Sequence, residues 1–362
     1  MNEQGTPAGG AGRWRLGDLE VNRLGFGAMR LTGAAAFHPG SRADRATSIR
    51  VLRRAIELGV DHIDTAAFYF SALRSANELI NTALAPYPDN LVIATKVGPV
   101  RDASGAWATP ARPDELRGQV EENLRQLGRD HLDLVNLRAM GQDSPGGVRR
   151  IMAGVATPGT APRGVAETSA SLRDEDVPAP CDAPRRTPRP SRPRSAGYHL
   201  AEHIGALAEL REAGLVRHIG ISGVRLGQLA EARETAPVVC VQNRYGIDDR
   251  DGEDVLRACG ELGIAFVPFF SVAGQGREGG AGGPESPQVR TVARAHGVST
   301  AQVRLAWSLG RGAHVLAIPG TGNPEHVADN VEAARLRLSA EETALLDTVA
   351  PPKRGEDPNH RR

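Results

Sequence analysis

The chain has 362 residues, enough to bury the core of one barrel-sized domain or of two ordinary ones. Its 44 basic and 43 acidic side chains nearly cancel, so no strong field favours nucleic acid or an anionic membrane as the main partner. No apolar run approaches the roughly 20 residues of a membrane helix, and residues 1–13 lack the apolar core of a secretion signal. We therefore expect a cytoplasmic protein that binds neither nucleic acid nor membrane.

The three cysteines, Cys181, Cys240 and Cys259, are odd in number and lack metal-ligand spacing. Free thiols in a reducing cytoplasm are the simplest interpretation. The histidines have no partner spacing either, so the sequence predicts no metal site.

The first half of the chain alternates short apolar runs with helical patterns. A polar, Gly-rich stretch, residues 1–12, precedes them, and we expect it to be flexible. Two apolar segments, 14–16 and 19–21, flank Gly17-Asp18 and predict a hairpin. The elements that follow are the apolar run 24–29, helix 45–58, strand 62–66, helix 75–84, strand 91–95, a helix from Pro113 to Gly128 and strand 132–137.

Residues 141–197 interrupt this alternation. They contain nine prolines and nine arginines and almost no aromatic or large aliphatic side chains. Such a segment cannot bury enough apolar area to offset the entropy of ordering it, so we expect a disordered insertion. The alternative is a basic arm that binds a polyanion or a partner. Loop-closure entropy grows only logarithmically with length, so a folded domain could tolerate the insertion.

The alternation resumes after the insertion. The elements there are helix 200–213, strand 217–222, helix 226–234, strand 238–242, helix 252–262, strand 264–270, a helix opened by Ser299, strand 315–318 and a terminal helix opened by Ser339.

Eight strand candidates alternating with helices indicate an α/β fold, the (β/α)8 TIM barrel. An open doubly wound sheet is the alternative, but Gly27-Ala28-Met29 is not the glycine fingerprint that such a sheet uses for a dinucleotide. The barrel would comprise residues 13–140 and 198–350. The N-terminal hairpin would plug one end, and residues 351–362 would form a flexible C-terminus.

Three chemically reactive side chains lie at or near the ends of two neighbouring predicted strands. Asp64 and Lys96 end their strands, and Tyr69 lies in the loop after Asp64. Each alone has a simpler role, as a helix cap, a packing ring or a solvated amine. Together, at one mouth of a barrel, a charged lysine would lower the pKa of the phenol and an aspartate would keep the lysine charged. The trio would suit proton donation to a carbonyl oxygen while a nicotinamide delivers hydride.

Six motifs extend this interpretation over nearly the whole chain outside 141–197. They are Leu24-Gly25-Phe26-Gly27-Ala28-Met29, Asp64-Thr65-Ala66-x-x-Tyr69, Thr95-Lys96, Gly220-Ile221-Ser222, Val241-Gln242-Asn243 and Ile318-Pro319-Gly320-Thr321. Together they resemble the aldo-keto reductase superfamily. Three further phrases, at 85–89, 133–140 and 267–270, are most similar to its bacterial pyridoxal reductase (pyridoxine 4-dehydrogenase) branch.

The resemblance implies an NADPH-dependent reductase of a small aldehyde or ketone, with pyridoxal favoured. It makes Tyr69 the general acid, Asp64 and Lys96 the pair that adjusts the pKa of its phenol, and Arg138 the fourth catalytic residue. The residues implied for the cofactor are Gly27, Ala28, Met29, Ser222, Gln242, Phe269, Thr321, His326, Asp329 and Asn330, with Asn243 as a further candidate for the carboxamide. A monomer and a dimer both stay open.

Several positions depart from the family pattern. Arg138 replaces a histidine, and we expect it to orient oxygen anions, because arginine does not exchange protons near neutral pH; a salt bridge in the barrel mouth is the alternative. Phe70 replaces a glycine, and Gly223 an asparagine that helps to hold the nicotinamide. Gly320 and His326 replace basic residues that bind the 2′-phosphate in relatives.

These departures leave two other functions open. One is a broad aldehyde or ketone reductase of secondary metabolism. The other is a catalytically impaired, cofactor-binding regulatory barrel.

Overall fold

The computed structural model describes residues 5–33, 44–71, 74–102, 108–139, 199–272 and 285–349. The insertion expected at 141–197 and the flexible C-terminus expected at 351–362 lie outside the described residues. No helix within the described ranges is long and apolar enough to cross a membrane.

Short strands form the centre of the molecule. They are β1 Arg13–Leu16, β2 Leu19–Asn22, β3 Phe26–Gly27, β4 His62–Asp64, β5 Phe70–Ser71, β6 Arg74–Ser75, β7 Val92–Val97, β8 Leu132–Arg138, β9 Val216–Ser222, β10 Val238–Arg244 and β11 Ala265–Phe269. Seven of these make one parallel sheet in the order β3-β4-β7-β8-β9-β10-β11. The order in the sheet follows the order in the chain, as successive right-handed strand–helix–strand units require.

The parallel sheet curls until its two edges meet through residues 315–317. Phe266 in β11 forms a parallel bridge with Val315, and Leu24, just before β3, forms one with Ala317. Backbone hydrogen bonds of 2.8 and 2.9 Å hold this segment on both sides. Residues 315–317 therefore serve as the eighth strand. The closed sheet confirms the expected (β/α)8 barrel and not the alternative, an open sheet.

Helices cover the outside of the barrel. They are α1 Arg45–Glu57, α2 Ala76–Leu84, α3 Leu116–Leu127, α4 Leu200–Glu212, α5 Leu226–Thr235, α6 Glu253–Leu262, α7 Pro287–His296, α8 Thr300–Leu309, α9 Pro324–Glu332 and α10 Ala340–Asp347. The capping boxes predicted at Ser299 and Ser339 are present. Helices α7 and α9 are not among the predicted elements, although each begins with a proline after a capping residue, Ser286 or Asn323.

The barrel has an outer core between strands and helices and a smaller inner core inside the strands. Leu16 and Val21 of the β1–β2 hairpin enter the inner core, where they join strand residues such as Val92 and Leu134. The hairpin therefore closes one end of the barrel, as predicted, and the carboxyl ends of the strands form the other mouth.

Part of the N-terminal segment 1–12, which we expect to be flexible, has a defined backbone. Ala8–Ala11 form a 3-10 helix. Ala8 is fully buried, and its backbone N donates a hydrogen bond to Leu58 O at 3.1 Å. Alanine carries only a methyl group and glycine carries no side chain, so this segment can pack closely against the end of α1. The flexibility of residues 1–12 as a whole stays a prediction.

Candidate active site

The side chains predicted for the site gather at the carboxyl ends of the barrel strands. Asp64 ends β4, Arg138 ends β8, Ser222 ends β9 and Phe269 ends β11. Lys96 lies one residue before the end of β7. Because parallel strands end at the same mouth, residues far apart in the sequence meet there.

Asp64, Lys96 and Tyr69 are in direct contact. Lys96 Nζ donates hydrogen bonds to an oxygen of the Asp64 carboxylate and, at 3.0 Å, to the backbone carbonyl of Thr65. The ammonium lies 4.9 Å from the centroid of the Tyr69 ring, close enough for its charge to act on the phenol. All three residues are more than nine-tenths buried. The lysine charge is therefore held beside the phenol, away from water.

Burial decides the electrostatics of this trio. Desolvation raises the pKa of the Tyr69 phenol; Lys96 acts against this rise and Asp64 adds to it, and the net direction is upward. Lysine does act on the phenol in the expected direction, but the prediction of a lowered pKa is wrong for the net effect. Burial likewise opposes the charge on Lys96, yet Asp64 and Tyr69 outweigh it and raise the pKa of the amine. The site thus holds a protonated phenol beside a charged amine.

Arg138 brings a second cation to the mouth. Its Nη1 donates a hydrogen bond to Ser222 Oγ at 3.0 Å, and its guanidinium carbon lies 4.9 Å from the centroid of the Phe269 ring. Burial lowers the pKa of Arg138 to about 10, Tyr69 acts against this fall, and Arg244 adds to it. The guanidinium therefore stays charged at neutral pH and interacts with the phenol.

The two polar residues near the end of β10 differ in their availability to a ligand. Gln242 Nε2 donates to Asp64 Oδ2 at 2.8 Å, but Gln242 Oε1 is buried and has no hydrogen-bond partner within the described part of the chain. Asn243 instead accepts hydrogen bonds from the backbone N–H groups of Gly223 and Val224 and donates to Val224 O. Its amide holds the loop after β9, and the expected contact of Asn243 with a carboxamide stays a prediction.

The model of the aldo/keto reductase family matches residues 23–351. This chain belongs to that family. It is 38% identical to pyridoxine 4-dehydrogenase of Escherichia coli (strain K12) over 335 residues, which cover 92% of this chain and 97% of that protein. It is 32% identical to an uncharacterised oxidoreductase of Schizosaccharomyces pombe, over 93% of this chain and 89% of that protein.

Solved aldo-keto reductases have the same fold. The thermostable enzyme Tm1743, in complex with the inhibitor epalrestat, aligns with a TM-score of 0.65 at 27% identity, over 93% of this chain and 99% of that one. An aldo-keto reductase from Klebsiella pneumoniae, in complex with NADPH, aligns with a TM-score of 0.62 at 25% identity, over 92% and 93% of the two chains. The expectations of an oxidoreductase and of NADP(H) as cofactor are thereby confirmed at the level of the family.

The mouth of this aldo/keto reductase fits the nicotinamide end of such a cofactor. A buried acceptor without a partner costs free energy, so Gln242 Oε1 favours a ligand group that donates a hydrogen bond, as a carboxamide does. Gln242 pairs in register with Ser222 on β9, which places a hydroxyl beside it. Phe269 offers a half-buried ring at the end of β11.

The residues expected at the adenosine end lie in α9 or just before it. Thr321 Oγ1 accepts a hydrogen bond from the backbone N–H two residues later, and Asp329 Oδ2 accepts one from Ser299 Oγ at 2.7 Å. His326 is exposed, and Asn330 is buried. Thr321 therefore stabilises its own loop, and Asp329 stabilises the contact between α8 and α9. Their expected contacts with the cofactor would be additional to these roles.

Gly27 ends the first barrel strand, β3, and Ala28 and Met29 follow it. A Cβ atom at Gly27 would lie 2.6 Å from Ile318 O, so glycine is required there by the close approach of the first and eighth strand segments. Ala28 is fully buried, and Met29 packs against the outer core. Packing at the seam where the barrel closes therefore accounts for the glycine in this motif.

Sequence reasoning missed a buried polar network behind the strand ends. Thr65 Oγ1 donates to Asn77 Oδ1 (2.7 Å), while Thr95 Oγ1 and Asn77 Nδ2 both donate to Asn123 Oδ1 (2.6 and 2.9 Å). The two threonines are the chain neighbours of the site's aspartate and lysine, so the network fixes those strand ends relative to each other. The sequence signal for this network is one asparagine on the buried face of α2 and one on the buried face of α3. A buried asparagine in a helix is unfavourable unless its amide is hydrogen-bonded.

Proposed function

We propose that this aldo/keto reductase reduces an aldehyde to an alcohol with NADPH, and that Tyr69 is the proton donor. The buried contact among Asp64, Lys96 and Tyr69 carries the proposal, because it keeps a phenol protonated and places a fixed cation where a phenolate would form. Ser222, Gln242 and Phe269 are proposed to hold the nicotinamide.

When bound, the reduced nicotinamide supplies a hydride to the carbonyl carbon. The chain's own contribution is one proton: the O–H bond of Tyr69 breaks and a new O–H bond forms on the former carbonyl oxygen. Lys96, held by Asp64, stabilises the phenolate that remains, and Arg138 stabilises negative charge on the reacting oxygen. Water then returns a proton to Tyr69.

Pyridoxal is the substrate that we favour. Pyridoxine 4-dehydrogenase is similar to this chain over almost the full length of both proteins. A buried, charged Arg138 also suits an aldehyde whose neighbouring ring hydroxyl ionises, because a charge-assisted hydrogen bond would fix the ring. We further propose a cytoplasmic location, which the free, buried Cys240 and Cys259 support.

Tyr69→Phe tests the proton donor. We expect a fall in kcat of about 100-fold or more, with NADPH affinity measured by fluorescence titration retained, because only the proton is lost. Tyr87→Phe is the matched control: its hydroxyl donates to Leu127 O at 2.6 Å, outside the site, so its kcat should stay near that of the unmodified enzyme. Full turnover in Tyr69→Phe would contradict the proposal.

A substrate panel tests pyridoxal. NADPH oxidation is measured with pyridoxal, benzaldehyde and an aliphatic aldehyde at matched concentrations. We expect the highest kcat/KM for pyridoxal. Equal values across the panel would instead support the broad reductase, and NADPH binding without turnover of any aldehyde would support the regulatory barrel.

A further inference from the structure

The backbone around Tyr69 is fixed from outside its own loop by Arg101. Arg101 Nη1 donates hydrogen bonds to the carbonyl oxygens of Phe68 (3.1 Å) and Phe70 (2.9 Å), the residues on either side of Tyr69. Tyr69 N donates to Ala66 O at 3.0 Å, and Tyr69 O accepts from the backbone N of Ala76 at 2.9 Å. The three successive carbonyls at 68–70 are therefore all hydrogen-bonded.

Phe70 forms the second half of this clamp. The guanidinium carbon of Arg101 lies 4.3 Å from the centroid of the Phe70 ring, a cation–π distance. Phe70 pairs with Ser75 in the short β5–β6 hairpin and has no positive φ, so its backbone does not require the glycine that relatives carry. The bulky ring is directed to Arg101 and does not crowd Tyr69 out of contact with Lys96.

The segment that carries Arg101 is hydrogen-bonded to helix α3. It follows the end of β7, where Gly98 N donates to Gln119 Oε1 at 2.7 Å and Gln119 Nε2 donates to Pro99 O at 3.1 Å. Gln119 lies on α3, so the helix holds the segment from which Arg101 extends. Hydrogen bonds from Gln119 and from Arg101, joined by the short backbone segment 99–101, thus link α3 to the loop that carries Tyr69.

We propose that Arg101 is a positioning residue for Tyr69: it clamps the two peptide carbonyls that flank the tyrosine and so aims the phenol at the reacting oxygen. The inference rests on the proposed role of Tyr69 as proton donor. Proton transfer needs the two oxygens at hydrogen-bond distance, and a displacement of about 1 Å at a reacting group can cost about 100-fold in rate.

Arg101→Met tests the clamp because methionine keeps much of the side-chain volume and removes every donor. We expect kcat to fall about 10- to 100-fold, with the Kd of NADPH and the KM of the aldehyde within about twofold. Arg101→Lys keeps a donor but loses the planar stack, so it should recover part of the lost kcat. Arg53→Met is the matched control, since Arg53 also donates to a backbone carbonyl, Ala83 O, but on the outer surface of α1.

A double variant separates positioning from general stability. In a Tyr69→Phe background there is no phenol left to aim, so adding Arg101→Met should change the residual rate by less than about twofold. Two outcomes would overturn this inference and leave the proposed function standing. One is an equal loss of kcat from Arg101→Met in both backgrounds. The other is a kcat near normal for Arg101→Met while Tyr69→Phe is inactive. Full activity of Tyr69→Phe would overturn the proposed function and this inference with it.

Discussion

Arg138 and Gly223, two residues that depart from the family pattern, fit each other. A Cβ atom at Gly223 would lie 3.1 Å from the guanidinium carbon of Arg138, so a side chain there would press on the arginine. Gly223 also has φ +70°, a conformation that residues with side chains rarely adopt. The glycine at this position therefore leaves room for the cation, and Ser222 and Phe269 hold that cation in place.

The charge of Arg138 leads to a prediction about which aldehyde the enzyme prefers. Arg138→Met removes the charge and leaves an apolar side chain beside Phe269. We expect kcat/KM for pyridoxal to fall about 10- to 100-fold, which is the loss of one charge-assisted hydrogen bond, while benzaldehyde loses several-fold less. Steady-state kinetics with both aldehydes measure the ratio, and an equal loss for both would assign Arg138 to the chemistry common to all substrates.

The pH dependence follows from the raised pKa of Tyr69. Aldehyde reduction needs the protonated phenol, and burial moves its pKa above the ordinary value of about 10. The reduction rate should therefore stay nearly flat from about pH 6 to 9 and decline only at higher pH. Oxidation of the alcohol needs the phenolate, so its rate should rise with pH over the same range. A reduction rate that halves near neutral pH would show that another group is the donor.

At the scale of elements, helices α2 and α3 do more than cover the barrel. Asn77 and Asn123 reach from their buried faces to the threonines at the ends of β4 and β7. These helices therefore set the relative positions of Asp64 and Lys96. The sequence patterns located both helices, but an amphipathic pattern does not show which polar residues on a buried face meet each other.

Asn123→Leu tests this link between elements. It leaves Thr95 Oγ1 and Asn77 Nδ2 without their acceptor, so we expect the free energy of unfolding to fall by about 1–3 kcal/mol and kcat to fall as well. Arg117→Ala, on the exposed face of the same helix, should change the free energy by less than about 0.5 kcal/mol. Urea unfolding compares the two; equal effects would deny the network a special role.

At the scale of the whole molecule, the two halves of the barrel join directly. β8 pairs with β9 in parallel register from Leu132 opposite Val216 to Arg138 opposite Ser222, although residues 141–197 separate the two strands in the chain. We retain the boundaries 13–140 and 198–350 as a proposal for the two halves. Because loop closure costs little more for a long segment than for a short one, the pairing of these strands does not depend on that length.

Arg23, which lies just before the first barrel strand, is hydrogen-bonded to the N-terminal segment and to the segments around the eighth strand. It donates to the carbonyl oxygens of Ala11 in the N-terminal 3-10 helix, of Leu309 at the end of α8, of Gly312 after that helix and of Val315 in the eighth strand segment.

Removing these bonds should weaken the closure of the barrel. We expect Arg23→Met to lower the free energy of unfolding by about 2–4 kcal/mol, because several carbonyls lose a charged donor at once. The exposed Arg15 on β1 provides the control variant Arg15→Met, which should leave stability nearly unchanged. Urea unfolding of both variants distinguishes them, and matching midpoints would remove Arg23 from the account of barrel closure.

The sequence alone determined the alternation of strands and helices, and with it the barrel and the common mouth that Asp64, Lys96, Arg138 and Gln242 share at or near the ends of their strands. These features follow from local periodicity and from the geometry of parallel strands, which need no knowledge of distant contacts. The tertiary structure decided the upward pKa shift of Tyr69, the use of Asn243 in a loop and the clamp from Arg101. Each of these depends on burial, or on which residues far apart in the chain come into contact, and both are properties of the folded molecule.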